Sequence, residues 1–263
     1  MKLSFRKAIL VYILLPIIIL FSAFAINNML TIKHEALQRV ENHMTDLVIS
    51  YAGIFDGFLR PIESAAIINA SLVEESEKLI EENIYKILEL QVENNPIIYG
   101  AAIAFLPNQF SVDQQLFSPY VYRKNGQIIR MDIATQGYDY TDGTWAWWNN
   151  VIATGKAVWS EPYFDEGAGN MLMSTYAVPF FKDSKLWGVA TVDIALNEIS
   201  NHIHIPGIKG QDIMVLSSTG KIILHRDKKE LGKSIFDLIE ERSLDIQIII
   251  GSDQKDELEE TKA

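Results

Sequence analysis

The longest nearly unbroken apolar segment, Ala8 to Ile26, is interrupted only by Tyr12, Pro16 and Ser22. Its nineteen residues are about enough to cross a hydrocarbon core of ~30 Å as a helix. Beyond it, Leu37, Val40, Met44, Leu47, Tyr51, Ile54 and Phe58 recur at alternating steps of three and four. That spacing predicts one long helix from about Asn28 to Leu59, ending before Arg60-Pro61 because the residue preceding a proline disfavours α geometry. Such a seam serves equally to pack the helix on its own domain or to pair it with a twin, and the expected assembly is a homodimer. Ser71-Leu72-Val73-Glu74 has capping-box spacing ahead of Ile80, Ile84, Ile87 and Leu88, which predicts a second helix up to about Glu93.

The period then changes. Ile97 to Leu106 reads as a buried strand, and Tyr120–Arg123 with Gln127–Ile133 as a hairpin around Lys124-Asn125-Gly126. Thr144 to Thr154 reads as a short helix stopped by Gly155. Met171–Phe181 and Trp187–Ile194 form a second antiparallel pair around Lys182-Asp183-Ser184-Lys185, followed by a short helix from Asn197. After Pro206-Gly207, Asp212–Leu216 and Lys221–His225 make another hairpin, with a helix near Ser234–Glu241 and an acidic tail from Ser252. Long helices followed by an antiparallel sheet of about five strands define an α+β fold.

Lys2, Arg6 and Lys7 precede the apolar segment. The positive-inside rule therefore leaves the N-terminus in the cytoplasm and starts the remainder outside. Ala23-Phe24-Ala25 offers a competing signal-peptidase site, but the apolar run exceeds the usual 7–15 residues of a signal peptide, which favours an uncleaved anchor. The formal charge is −11; without those three cations, 20 basic residues face 34 acidic ones. A surface of that sign repels nucleic acid and anionic lipid, so no nucleic-acid partner is expected. The absence of cysteine leaves stability to ordinary packing.

The densest chemistry lies between Tyr138 and Trp148, where Tyr138, Tyr140, Trp145, Trp147 and Trp148 interleave with Asp139 and Asp142. Aromatic faces beside carboxylates are a means of holding small cations, through cation–π contact and charge-assisted hydrogen bonds. Asp193 stands in the apolar run Val189-Ala190-Thr191-Val192-Asp193-Ile194, where a buried carboxylate is costly unless paired; the competing role is capping the helix near Ala195. Asp139 and Asp142 are turn residues first and ligand contacts second. Asp165-Glu166-Gly167-Ala168-Gly169-Asn170 lacks the alternating ligands of a calcium loop, and the histidines are not spaced for zinc, so no metal or cofactor is expected. Phosphate loops, nucleophile elbows and kinase motifs are absent, so no enzymatic activity is expected of this chain. An Asp193/Glu161 acid/base pair is the remote enzymatic alternative.

The Trp-Trp pair opening a helix, Gly155-Lys156 before Trp159-Ser160-Glu161-Pro162-Tyr163, Val178-Pro179-Phe180 closing a strand, and Gly188-Val189-Ala190-Thr191-Val192-Asp193-Ile194-Ala195-Leu196 follow one another in the order of the double Cache sensors. The chain resembles that family from roughly Ile32 to Glu240. The family supplies extracytoplasmic ligand-binding regions of bacterial membrane receptors. The resemblance implies a PAS-like sheet module and four regions. Residues 1–27 would be the cytoplasmic tail and transmembrane anchor, and 28–60 the stalk. Residues 61–205 would form the membrane-distal, ligand-binding module, and 206–263 a smaller membrane-proximal module, expected to be truncated.

The amino-acid-binding branch of that family uses a Tyr, an Arg-x-Trp-Tyr group five residues on, a Tyr in the next loop and an Asp ending a later strand. Tyr140, Trp147, Tyr163 and Asp193 match this pattern; Trp148 stands in place of the second Tyr, and Trp145 in place of the Arg. An indole cannot replace the guanidinium that pairs with an α-carboxylate. The resemblance therefore implies a membrane-anchored small-molecule sensor whose ligand, an amine or other small amino compound, carries an ammonium group and no carboxylate. Tyr140, Trp145, Trp147, Trp148, Tyr163 and Asp193 would bind it, with Asp139, Asp142 and Asp165 as further candidates. The alternative is a non-binding module in which the tryptophans fill their own pocket and the stalk mediates dimerisation.

Overall fold

The computed structural model describes residues 9–203 and 214–242. The basic tail, the Pro206-Gly207 link, Asp212 and the acidic tail lie outside these residues. The chain falls into two units, Met1–Gly53 and Ile54–Ala263.

A π-helical turn, Leu10–Leu14, leads into helix α1, Leu15–Glu75. Its N-terminal part is long and apolar enough to cross a membrane. In the first unit Leu37 and Val40 of the expected seam are exposed, and Met44, Leu47 and Tyr51 are half-buried.

The expected stop at Arg60 is not observed, since α1 continues through Pro61. A proline inside a helix removes one backbone hydrogen bond at a cost of about 3 kcal/mol. Pro61 and Gly57, whose carbonyl is released, both lie on the exposed face. Just beyond, Ile62, Ala65, Ala66, Asn69, Ala70 and Val73 are buried at helical spacing, and that packing outweighs the local penalty. The capping box at Ser71 is likewise superseded. Ser71 lies within α1, and the break comes at Ser76 to Ile80, before α2, Glu81–Asn94. Asn69 and Gln91 exchange hydrogen bonds at 2.8 and 3.2 Å, tying α2 to α1.

The sheet has seven antiparallel strands rather than about five. These are β1 (Gly100–Phe105), β2 (Pro119–Lys124), β3 (Gln127–Asp132), β4 (Val158–Trp159), β5 (Tyr163–Phe164), β6 (Leu172–Lys182) and β7 (Lys185–Ala195). Their order is β3-β2-β1-β7-β6-β4, with β5 also on β6. The two extra strands are two residues each, too short to show a period. Asn125-Gly126 turns the first hairpin with φ of 50° and 78° at both central residues, the geometry that favours this pair.

Alternation along the strands assigns each face. Ala101, Ile103, Phe105, Val178, Phe180, Ala190, Val192 and Ile194 join the core built with the helices. Ala102, Ala104, Met173, Ala177, Val189 and Ala195 face a second core under helix α3, Ala146–Thr154. Helix α3 ends as expected at Gly155, with φ of 63°. Helix α4, Leu196–His202, follows β7. A separate two-stranded sheet, β8 (Val215–Leu216) with β9 (Ile222–Leu224), precedes helix α5, Ile235–Arg242.

Candidate functional site

The second core lines a partly open cavity of about 20 Å³, room for about one water molecule. Its floor is the sheet. In Thr191-Val192-Asp193 the period of two sends Thr191 and Asp193 to the cavity side, together with Thr175 of β6, Ala102 of β1 and Tyr120 of β2. Ile133 and Tyr138 follow β3, Trp147 comes from α3, and Tyr163, Asp165 and Ala168 come from the β5 segment and the loop after it.

Two carboxylates are buried here. Asp193 Oδ1 accepts from the Thr175 hydroxyl at 2.7 Å, and Thr175 Oγ1 also meets the Tyr163 hydroxyl at 2.8 Å. Asp165 accepts from the Gly169 amide at 2.6 Å and the Tyr138 hydroxyl at 3.0 Å, while Trp147 Nε1 donates to the Tyr138 oxygen at 3.3 Å. Burial pushes the Asp193 carboxyl up to about 7, and the charge of Asp165 adds to this; the Thr175 hydrogen bond and the proximity of the Tyr120 hydroxyl only partly oppose it. Burial also raises the pKa of Asp165, against the Gly169 and Tyr138 hydrogen bonds. No Lys or Arg lines the cavity among the described residues. A buried pair of carboxylates walled by aromatic rings suits a small cation.

Of the residues singled out in the sequence, the structure brings Trp147, Tyr163, Asp165 and Asp193 together around this cavity. Trp145 stacks on Tyr138 with centroids 4.0 Å apart and meets the Tyr163 ring edge-on at 6.4 Å, behind the cavity wall. Tyr140 and Trp148 lie off the cavity. The Tyr140 hydroxyl donates to the Phe105 carbonyl at 2.7 Å, and Trp148 packs edge-on against the Tyr140 ring at 4.8 Å. Asp139 and Asp142 are exposed and accept from the Thr141 and Thr144 amides at 2.8 and 2.7 Å as turn residues. The capping alternative for Asp193 is not realised, because the cap position is Ala195, with no side-chain bond.

Sequence reading missed Tyr120, Thr175 and Thr191 as cavity residues, and named Tyr138 in the aromatic run without assigning it to the site. A signal existed for the threonines, as polar residues two apart from Asp193 or directly across from it on strands. Tyr120 carried none, because its place depends on Gly100. That glycine pairs with Asp193, and a Cβ on it would stand 2.6–2.7 Å from Tyr120 ring carbons.

Residues 84–201 match the family model described as the first PDC sensor domain of methyl-accepting chemotaxis protein-like receptors. The structure is similar to the extracellular domain of a histidine kinase, soHK1S-Z6, with 37% identity, 68% of each chain covered and a TM-score of 0.61. The chain belongs to the PDC, or Cache, family of sensor domains. As a PDC sensor it is also 28% identical over 117 residues to the methyl-accepting chemotaxis protein PscA of Pseudomonas syringae pv. tomato. That match takes in 44% of this chain and 18% of PscA. The fold is shared with the ligand-binding domain of the chemoreceptor PctC of Pseudomonas aeruginosa PAO1, solved in complex with GABA. There the identity is 20%, the coverage 81% and 85%, and the TM-score 0.56. The PctC domain is the ligand-binding domain of an amino acid chemoreceptor.

Proposed function

We propose that this chain is the extracytoplasmic sensor of a membrane-anchored signalling receptor, and that its cavity takes a small ligand bearing an ammonium group. One observation carries the ligand class: Asp165 and Asp193 are buried in a single aromatic cavity with no cationic side chain among its described lining residues. A cationic head would relieve their mutual repulsion, whereas an α-carboxylate would add a third negative charge without a guanidinium to meet it. Asp193, Asp165, Trp147 and Tyr163 are the proposed contacts, with Trp145 supporting the wall through Tyr138.

The anchor would lie within residues 1–27 and the stalk in 28–60. The ligand-binding module would be 61–205, and the hairpin of β8 and β9 would begin a second, membrane-proximal module. Exposure of Leu37, Val40 and Ile54 on the seam of α1 supports pairing of two stalks in a homodimer. By linkage, a ligand can bias such a receptor only as far as its affinity differs between signalling states.

The small size of the cavity favours a second reading, in which the aromatic side chains fill the site and the domain serves only in assembly. Calorimetry on the full chain in lipid nanodiscs separates the two. An amine is expected to bind more tightly than the α-amino acid with the same side chain, and Asp193→Asn to abolish binding while still melting cooperatively. Tighter binding of the amino acid overturns the ammonium reading, and no stabilisation by amines, amino acids or carboxylates supports the assembly module.

A further inference from the structure

Tyr120 is 2% exposed, and its hydroxyl lines the cavity beside Asp193, near enough to hold that carboxyl's pKa down but without a hydrogen bond of good geometry. Buried hydroxyls are rarely left unpaired, and each one that is calls for an explanation. The position is built rather than incidental. Gly100 stands opposite Asp193 on the neighbouring strand, and only the lack of a side chain there lets the Tyr120 ring lie across it. The ring stacks on Tyr122 with centroids 5.1 Å apart and planes 6° apart, which fixes where the hydroxyl points.

We propose that the Tyr120 hydroxyl accepts an N–H from the bound ligand and, with the Asp193 and Asp165 carboxylates, selects ammonium ions that carry N–H groups over quaternary ones. This rests on the ammonium reading of the cavity. The aromatic faces of Trp147, Tyr138 and Tyr163 attract any cation and cannot distinguish the two kinds of head group. Hydrogen-bond acceptors can. Asp193 Oδ1 is engaged by Thr175, and the Asp165 oxygens by Tyr138 and Gly169, but each carboxylate oxygen has a second lone pair, and Tyr120 offers its own. A primary ammonium brings three donors to these acceptors. A quaternary one brings none, so the Tyr120 oxygen would stay unpaired beside it. Size acts in the same direction, because a cavity holding about one water must open further for each added methyl group.

The test is calorimetric titration of the full chain in nanodiscs with methylammonium, dimethylammonium, trimethylammonium and tetramethylammonium chlorides. Affinity should fall along the series, by at least about tenfold from first to last, since a site that hydrogen-bonds its ligand rejects analogues lacking the donor. Tyr120→Phe keeps the ring and removes the hydroxyl. It should weaken methylammonium by roughly 3- to 10-fold and leave tetramethylammonium unchanged. Equal or tighter binding of tetramethylammonium overturns the proposal, as does an equal loss across the series in Tyr120→Phe. If that variant does not fold, the wild-type series alone decides. Binding with a flat series removes this inference and leaves the ammonium reading standing, whereas no binding by any of the four ions removes both.

Discussion

Thr175 and Asp193 stand directly opposite each other on β6 and β7, and the threonine hydroxyl donates to Asp193 Oδ1 at 2.7 Å. A cross-strand pair thus keeps a carboxylate in the middle of the sheet's cavity face. The same pair offers the most direct test of the site's electrostatics.

Asp193 has a pKa of about 7 in the folded protein against an ordinary 3.8, with Asp165, Thr175, Tyr120, Tyr163 and Tyr99 around it. A group that holds its proton more tightly when folded stabilises fully below its unfolded pKa, and that contribution is lost as pH rises through the folded one. Ligand-free protein is expected to lose stability on this account between about pH 4 and 7, with Asp165 acting in the same direction. Asp193→Asn should remove most of that slope and melt higher than wild type at pH 8. Melting temperature against pH for both proteins is the measurement. A cationic ligand favours the ionised carboxylate, so amine affinity should climb towards pH 7 and then level off.

Tyr140 is expected to support the fold without touching the ligand. Its hydroxyl donates to the Phe105 carbonyl and accepts from the Phe117 amide at 3.3 Å, all in buried surroundings. Tyr140→Phe should destabilise by about 1–3 kcal/mol, because it leaves a buried carbonyl unpaired. Amine affinity should be unchanged, so chemical denaturation paired with calorimetry distinguishes the two roles.

Gly188 lies close against the backbone of β1. A Cβ there would collide with both the Ala104 carbonyl oxygen and the Phe180 ring. Because backbone cannot give way as a side chain can, Gly188→Ala should cost at least about 1–3 kcal/mol, read as a lowered denaturation midpoint.

Pairing of stalks can be examined by single cysteines in a chain that has none. A cysteine at Met44 or Tyr51 on the apolar seam should crosslink in membranes, and one at the polar position Glu41 should do so poorly. Equal yields at all three positions would argue against a specific helix pairing.

How much of the site was legible depended on the range of the signal. Asp193 stood out as a lone carboxylate in an apolar strand, and Trp147 and Tyr163 by their spacing within the motif. Asp165 was visible only as one acidic loop residue among several. What turns it inward is the loop after β5, where the Gly169 amide reaches back to its carboxylate and Tyr99 holds the Gly169 carbonyl at 2.7 Å. Tyr140 and Trp148 share the motif's spacing with Trp147, yet they fall on the core side. Tyr140 precedes α3 in a turn, and Trp147 and Trp148 are adjacent on that helix, about 100° apart around its axis, so the two indoles face different ways.

The sequence by itself determined what short-range physics controls. It specified an apolar segment long enough to cross a membrane, strands by their alternation, the Asn125-Gly126 turn by its tolerance of positive φ, and the end of α3 by Gly155. The tertiary structure decided where competing local terms were close in size or where distant residues had to meet. Pro61 should stop a helix, but burial of Ile62, Ala65, Ala66, Ala70 and Val73 against the core carries α1 through it. Tyr120 becomes a cavity residue only once β1, β2 and β7 are in register and bring Gly100 opposite Asp193. Both outcomes depend on contacts between residues far apart in the chain, whose energies exist only in the folded packing and leave no pattern in the local sequence.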